Sequence, residues 1–300
     1  MTGLAFDTST RLGLVGLGIM GAPIAQRLRE QGYELTVWNL EPERFDTVRD
    51  SGAKWASNPA EVWKHSDVVF VCVLGDAAIE SVCFGASGFA AADRGARMLV
   101  DLSTTSPEAT LELAGRLEKE LGAKWVDAPM SGGPAPARQG ELTVMAGGDP
   151  SAFGAVEPLL RAIAQNVTLM GPLGAGQKTK ILNQAIVGAN YILMAEILAS
   201  CRAAGIDPDL LPVCLKGGLA DSAILQRIYT QMSAEDFDPP RSYVRQVNKD
   251  LKSVEHFVHD LGLELPLLDV AVRQYRLYAE AGNEMEDGAS VSRLYQKTTG

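Results

Sequence analysis

The chain is poor in the residues that several protein classes require. Its 300 residues include four cysteines and three histidines. Cys72, Cys83, Cys201 and Cys214 have no metal-ligand spacing, and Cys72 lies inside the apolar run DVVFVCVL. Small buried side chains are therefore the expected role for most of them, rather than disulfides or zinc ligands. His256 and His259 stand three apart on an expected helix, and neither they nor His65 come with the further ligands a metal needs. No metal site is expected. Cations are also in deficit: 27 Lys and Arg against 37 Asp and Glu leave a formal charge of −10. Without a basic patch, nucleic acid and anionic membranes are not expected partners. No stretch approaches the roughly 20 apolar residues of a membrane span. The opening MTGLAFDTSTR lacks a charged segment followed by an apolar one, so it does not read as a signal peptide. A reducing, cytoplasmic setting is the default expectation.

What is abundant is apolar: 46% of the residues, enough for a large core and for two domains. Up to about residue 170, short β-rich runs alternate with helical patterns. The strand candidates are RLGLVGL, ELTVWN, DVVFVCVL, RMLVDLS, AKWVDAP, LTVMAGG and NVTLMG. Apolar runs this continuous predict strands covered on both faces, as in a parallel sheet. Helix starts are legible at Asn58-Pro59, Ser106-Pro107 and Asp149-Pro150, each a capping side chain followed by proline at the first helical position. The alternation predicts a doubly wound α/β domain over residues 10–173. One long, largely apolar helix follows within 174–204 and should be buried on several sides. Residues 205–300 show broken helical patterns and no convincing strands, so they predict an all-α domain.

Gly16, Gly18 and Gly21 form a G-x-G-x-x-G motif between a strand and a helix, in GLGIMGAPIAQRL. Alone the motif is weak. In this position each glycine has a distinct use. The first makes a tight turn, the second leaves an open approach for a pyrophosphate, and the third allows close helix–strand packing. The helix N-terminus then faces the diphosphate, and Leu17, Ile19 and Met20 complete the expected cofactor loop. After the second strand comes Asn39-Leu40-Glu41. Asn39 can bond a ribose hydroxyl, Leu40 has no charge to offer a 2′-phosphate, and Glu41 repels one if it points inward. NAD(H) is therefore favoured, with Arg44 keeping NADP(H) open.

Ser131-Gly132-Gly133 offers a hydroxyl and unhindered N–H groups in a row. Spacing alone leaves a carboxylate-binding nest and a plain loop equally open. Lys178 and Lys180 stand roughly 200° apart around a helix. Lys180 shares its face with Asn183, Gln184, Val187 and Tyr191, whereas Lys178 shares its face with Leu182 and Ala185. Only Lys180 joins a polar cluster. A lysine at a helix N-terminus has its ammonium form disfavoured, which suits a general acid/base. Most lysines at helix starts are merely solvated, so the position alone does not separate the two roles.

Several segments, taken in order, resemble the β-hydroxyacid dehydrogenase family: GLGIMGAPIAQRL, DLSTTSPEA, DAPMSGG, GAGQKTKILNQ and KDL at 249–251. The family includes 3-hydroxyisobutyrate dehydrogenase and tartronate semialdehyde (2-hydroxy-3-oxopropionate) reductase, and KILNQAIVGAN with GGLADS is most similar to the latter branch. The resemblance spans about residues 12–296. It implies a Rossmann-type N-terminal domain, a long interdomain helix and an all-α C-terminal domain that forms homodimers or homotetramers. It implies reversible hydride transfer between nicotinamide and a small carboxylate substrate, a 3-hydroxy acid or its semialdehyde. By position it makes Lys180 catalytic with Asn183 beside it, and Ser131, Gly132, Gly133 and Gln184 substrate-binding. Val73, Leu74, Thr104 and Lys249 fall on the cofactor side. Gly75 stands where proline is common, which loosens that loop, and Leu40 replaces an arginine frequent in NADP-using members. Asn183-Gln184 replaces the His-Asn pair of the longer decarboxylating 6-phosphogluconate dehydrogenases, so decarboxylation is not expected. Two other classes stay open: imine reductases, which share the architecture but typically lack the lysine, and a dinucleotide-binding regulator without turnover.

Overall fold

The computed structural model of the chain describes residues 6–296. The first five residues of the opening stretch and the last four of the helical region lie outside it. The chain divides into two compact units, Met1–Lys180 and Ile181–Gly300.

The first unit is a nine-stranded sheet flanked by helices. Its strands are β1 (Leu12–Val15), β2 (Leu35–Trp38), β3 (Lys54–Trp55), β4 (Val68–Val71), β5 (Met98–Asp101), β6 (Lys124–Asp127), β7 (Met130–Ser131), β8 (Leu142–Gly147) and β9 (Ala164–Gly171). They order as β3-β2-β1-β4-β5-β6-β8-β7, with β9 also on β8. The six strands from β3 to β6 are mutually parallel, β8 is antiparallel to β6 and β7, and β9 runs parallel to β8. The helices are α1 (Gly21–Glu30), α2 (Pro59–His65), α3 (Asp76–Phe84), α4 (Pro107–Leu121), α5 (Pro134–Gln139) and α6 (Pro150–Arg161). The two-residue β3 and β7 are too short to leave a pattern in the sequence. The stretch at Ser131, open to a loop reading, therefore begins as a strand paired to β8.

Alternate residues of one strand enter different cores. Val68, Phe70, Met98 and Val100 pack with Ile24, Leu28 and Leu159. Val69, Val71 and Leu99 pack with Trp63, Ile79 and Leu117. Burial on both faces is why these strands read as unbroken apolar runs. The three proline helix starts carry real caps: Asn58 accepts from the Glu61 N–H, Ser106 from Ala109, and Asp149 from Ser151 and Ala152.

Helix α7 (Ala175–Ala203) passes from the first unit into the second. By length and composition it is long and apolar enough to cross a bilayer, contrary to the expectation from sequence. Its packing is that of a core helix. Ile181, Ala185, Ile192, Ala195 and Leu198 are buried against Val244, Leu251 and Val254 of α10 and Val272 and Tyr275 of α11. Burial is nonetheless one-sided, contrary to expectation, because Leu182, Ile186 and Leu193 remain exposed. The second unit continues with α8 (Leu210–Leu215), α9 (Thr230–Ser233), α10 (Val244–Asp260) and α11 (Pro266–Tyr278), and no strand occurs among its described residues. At Gly188 a Cβ would lie 2.5 Å from a Leu251 methyl, so glycine permits the close α7–α10 crossing.

Candidate active site

The chain order β1-β2-β3 on one side and β4-β5-β6 on the other leaves a switch point at the C-terminal ends of β1 and β4. Ligands bind at such points in doubly wound sheets. The glycine loop sits there. Gly16 has φ +101°, and a Cβ on it would lie 2.1 Å from the Cys72 carbonyl oxygen. A Cβ on Gly21 would lie 1.9 Å from the Gly16 carbonyl oxygen. Gly18 differs: nothing lies within 4 Å of where its Cβ would be. Leu17 is buried while Gly18 and Ile19 are exposed and Met20 is half-buried. The result is an open cradle of backbone ahead of the α1 N-terminus, which fits a diphosphate.

Asn39 at the end of β2 is buried. Its Oδ1 accepts from the Leu17 N–H at 2.7 Å, and its Nδ2 donates to the Glu41 carboxylate at 2.8 Å and to the Glu41 carbonyl at 3.1 Å. Asn39 thus ties the glycine loop to Glu41 and orients that carboxylate. Leu40 and Arg44 are exposed. After β4, Val73 is half-buried and Leu74 exposed. Gly75 precedes α3 with φ +84° and ψ −176°. Proline, fixed near −65°, cannot adopt that backbone, so glycine here sets a defined turn rather than simply loosening the loop.

The ends of β4, β5 and β6 are joined by a buried network. Asp101 and Asp127 are register partners at the ends of β5 and β6, and both are fully buried. Asp101 accepts from the Ser103 N–H at 2.9 Å and from the Thr105 hydroxyl at 3.3 Å. The Val73 N–H donates to the Ser103 hydroxyl at 3.0 Å. Gln177 donates from Nε2 to the Ser103 carbonyl at 2.9 Å and accepts at Oε1 from the Thr105 N–H at 3.2 Å. Asp127 accepts from the Gly174 and Gln177 N–H groups at 2.8 and 2.9 Å. Burial pushes the Asp101 carboxyl up to about 7, against the pull of its Ser103 hydrogen bonds and with a further push from the Asp127 charge. Burial also raises Asp127, opposed by the N–H groups it accepts from. The Cys72 thiol is pushed up to about 12 by burial, which makes it a poor nucleophile. Thr104, between the two networked residues, is half-buried.

Ser131 ends β7, and Gly132 and Gly133 follow with φ of +141° and +88°. Two successive positive-φ residues turn the chain out of the strand into α5. All three are half-buried. A Cβ on Gly132 would touch Leu142 and Pro136 side chains at 3.1 Å, whereas Gly133 is open.

The two lysines of the α7 start separate clearly. Lys178 is exposed, and Lys180 is only 8% exposed. In the second unit, Asn183 donates to the Gln184 Oε1 at 2.8 Å, and Gln184 donates to Asp250 at 2.5 Å. Asp250 also pairs with Lys249 at 3.5 Å. Asp250 therefore links the two motifs, a role that KDL alone did not reveal. Asp101, Asp127 and Gln177 were not singled out from the sequence either. A signal existed: RMLVDLS and AKWVDAP each end a buried apolar run with an aspartate. No cluster of metal-ligating side chains occurs among the described residues.

A largely parallel sheet with an open glycine cradle at its switch point defines the class of dinucleotide-binding proteins. The comparisons are more specific. Residues 11–171 match the family model described as the NAD binding domain of 6-phosphogluconate dehydrogenase, and residues 174–295 match NAD-binding of NADP-dependent 3-hydroxyisobutyrate dehydrogenase. The chain is 35% identical to 2-hydroxy-3-oxopropionate reductase from Escherichia coli (strain K12), over 95% of this chain and 97% of that one. It is similar in structure to a 3-hydroxyisobutyrate dehydrogenase from Salmonella typhimurium, with TM-score 0.86 and 30% identity over 95% of this chain and 100% of that one. A structure of Psf3 in complex with NADP+ and 2-OPP has TM-score 0.86 and 25% identity, over 95% of this chain and 100% of that one. The chain belongs to the β-hydroxyacid dehydrogenase family, and is an NAD(P)-dependent oxidoreductase acting on CH–OH groups of small hydroxy acids.

Proposed function

We propose that the protein interconverts a small 3-hydroxy acid and its semialdehyde, and that its substrate is 2-hydroxy-3-oxopropionate (tartronate semialdehyde), reduced to glycerate. The observation that carries this reading is the burial of Lys180 beside an exposed Lys178. A buried ammonium is costly unless held by partners, and a lysine kept there suits proton transfer. A nicotinamide dinucleotide held by the loop from Gly16 to Gly21 would supply the hydride chemistry, taking a hydride from the alcohol carbon in oxidation or giving one to the aldehyde carbon in reduction. Lys180 takes the hydroxyl proton in oxidation and supplies it in reduction. Asn183, one turn further along the same helix, orients the lysine and the substrate oxygen. Ser131, Gly132 and Gly133 hold the carboxylate and so fix the reacting carbon, with Gln184 a further substrate contact. Gly16 to Gly21 cradle the diphosphate. Val73, Leu74 and Thr104 line the nicotinamide side, and Lys249 is a further cofactor contact.

The choice of substrate rests on the E. coli relative, whose name is that reaction. The runner-up is 3-hydroxyisobutyrate, supported by the Salmonella structure. NADH is the preferred coenzyme in this reading. Asn39 holds the Glu41 carboxylate next to the residue that anchors the glycine loop, where a 2′-phosphate dianion would meet like charge. The exposed Leu182, Ile186 and Leu193 of α7 support pairing of copies through the helical unit. Four unpaired cysteines fit a reducing, cytoplasmic setting.

The test is a spectrophotometric panel of 3-hydroxy acids and semialdehydes, each with NADH/NAD+ and NADPH/NADP+. The expected result is highest kcat/KM on tartronate semialdehyde with NADH. A tenfold preference for NADPH overturns the coenzyme assignment and points to Arg44. Turnover of cyclic imines without any hydroxy acid would move the chain to the imine reductases.

A further inference from the structure

Helix α7 has no capping side chain of its own. Its first intrahelical bond runs from the Lys178 N–H to the Gly174 carbonyl, so a glycine stands at the cap position. The capping carboxylate comes instead from the end of β6, 47 residues earlier: Asp127 accepts from Gly174 with one oxygen and from Gln177 with the other. This carboxylate is tightly confined. A Cβ on Gly147 would lie 2.5 Å from one oxygen, and a Cβ on Gly176 would lie 2.7 Å from the other. Small residues on both the strand and the helix let the helix end approach it. Gln177 then carries the position onward, through its bonds to Ser103 and Thr105. Ser103 in turn holds the Val73 N–H.

We infer that Asp127, acting with Gln177, is the positioning residue for Lys180. The pair fixes the first turn of α7, and with it the proton carrier, in one hydrogen-bonded frame with the loop after β4. The inference rests on Lys180 being the proton carrier. Lys180 follows Gln177 by three residues, a rise of about 4.5 Å along the axis, so displacement of the first turn passes directly to its side chain. Misplacement of a reacting group by about 1 Å can cost roughly 10²-fold in rate. The end of β6 also leads within four residues to Ser131, so one short segment sets both the cap and the nest. Burial raises the Asp127 carboxyl, opposed by the backbone N–H groups it accepts from, and both of its oxygens are placed to accept from the start of α7.

The test compares Asp127→Asn, Gln177→Ala, Gln177→Glu and Lys180→Ala in steady-state kinetics and dinucleotide titration. Asp127→Asn turns an accepting oxygen into a donor facing an N–H, and should lower kcat roughly 10- to 100-fold. KM and dinucleotide affinity should stay within about twofold, and the kcat–pH profile should move. A purely structural role would lower the active fraction and thermal midpoint while leaving kcat per folded molecule and its pH profile unchanged, and that result overturns the inference. If Asp127→Asn does not fold, the Gln177 pair decides. A protonated glutamic acid presents the same donor and acceptor as glutamine, so Gln177→Glu should regain activity at low pH and lose it as pH rises, relative to the parent, while Gln177→Ala stays low throughout. Parallel pH profiles for parent and both Gln177 variants overturn the inference. Lys180→Ala keeps the two readings apart. If it retains turnover, the proton-carrier reading fails. If it is inactive while Asp127→Asn and Gln177→Ala match the parent in kcat, only the positioning role fails.

Discussion

The three glycines of the cofactor loop should respond to alanine in different ways, and the structure gives the size of each response. At Gly16 a methyl would sit 2.1 Å from one backbone oxygen and 2.9 Å from its carbon, on a residue with φ +101°. A positive-φ alanine costs roughly 1–3 kcal/mol and overpacking roughly 1–3 more. Together these remove a large part of a typical stability of about 5–15 kcal/mol. Gly21→Ala meets a backbone oxygen at 1.9 Å and should destabilise by overpacking alone. Gly18 has nothing within 4 Å and needs no positive φ. Gly18→Ala should therefore fold as well as the parent, or up to about 1 kcal/mol better through a less flexible unfolded chain. Its methyl instead enters the open cradle. Dinucleotide affinity should fall tenfold or more, at least about 1.4 kcal/mol. Chemical denaturation gives the first quantity, and fluorescence titration with NADH and NADPH gives the second. Unchanged affinity in Gly18→Ala refutes the diphosphate cradle, and parent-like stability in Gly16→Ala refutes the close approach to Cys72.

The lysines and the buried aspartate add two more expectations. Lys180→Ala should lose roughly 10²- to 10⁴-fold in kcat with dinucleotide binding kept, whereas exposed Lys178→Ala should be nearly silent; equal losses would show a general charge effect instead. Asp101 moves from its usual 3.8 to about 7 in the fold, so the folded chain holds its proton more tightly than the unfolded one. The stabilisation is complete below pH 3.8 and is lost as pH rises to about 7, at about 1.4 kcal/mol per unit. Urea denaturation of parent and Asp101→Asn should show the parent losing ground between pH 5 and about 7, then a constant gap; a gap constant across pH 5–8 contradicts the raised carboxyl.

Much of the first unit was legible because its signals are local. Runs such as DVVFVCVL mark strands buried on both faces, Asn58-Pro59 and its counterparts mark capped helix starts, and Gly16 to Gly21 lie within one turn of chain. The helical character of residues after 205 was legible for the same reason. Helical spacing also placed Lys178 and Lys180 on different sides of α7 before any contact was known. Their burial was another matter, since it depends on what packs around the helix start. The buried network was out of reach for the same reason. Asp127 bonds residues 47 and 50 positions away, and Gln177 bonds Ser103 from 74 positions away. Nothing in the spacing of AKWVDAP or GAGQKTK says that they meet. The two-residue β3 and β7 are likewise products of the sheet, because so short a strand has no period of its own. Local backbone preferences and apolar periodicity set the elements; long-range hydrogen bonds, formed only once the sheet has brought the ends of β4, β5 and β6 together, decided which polar side chains hold Lys180's helix in place.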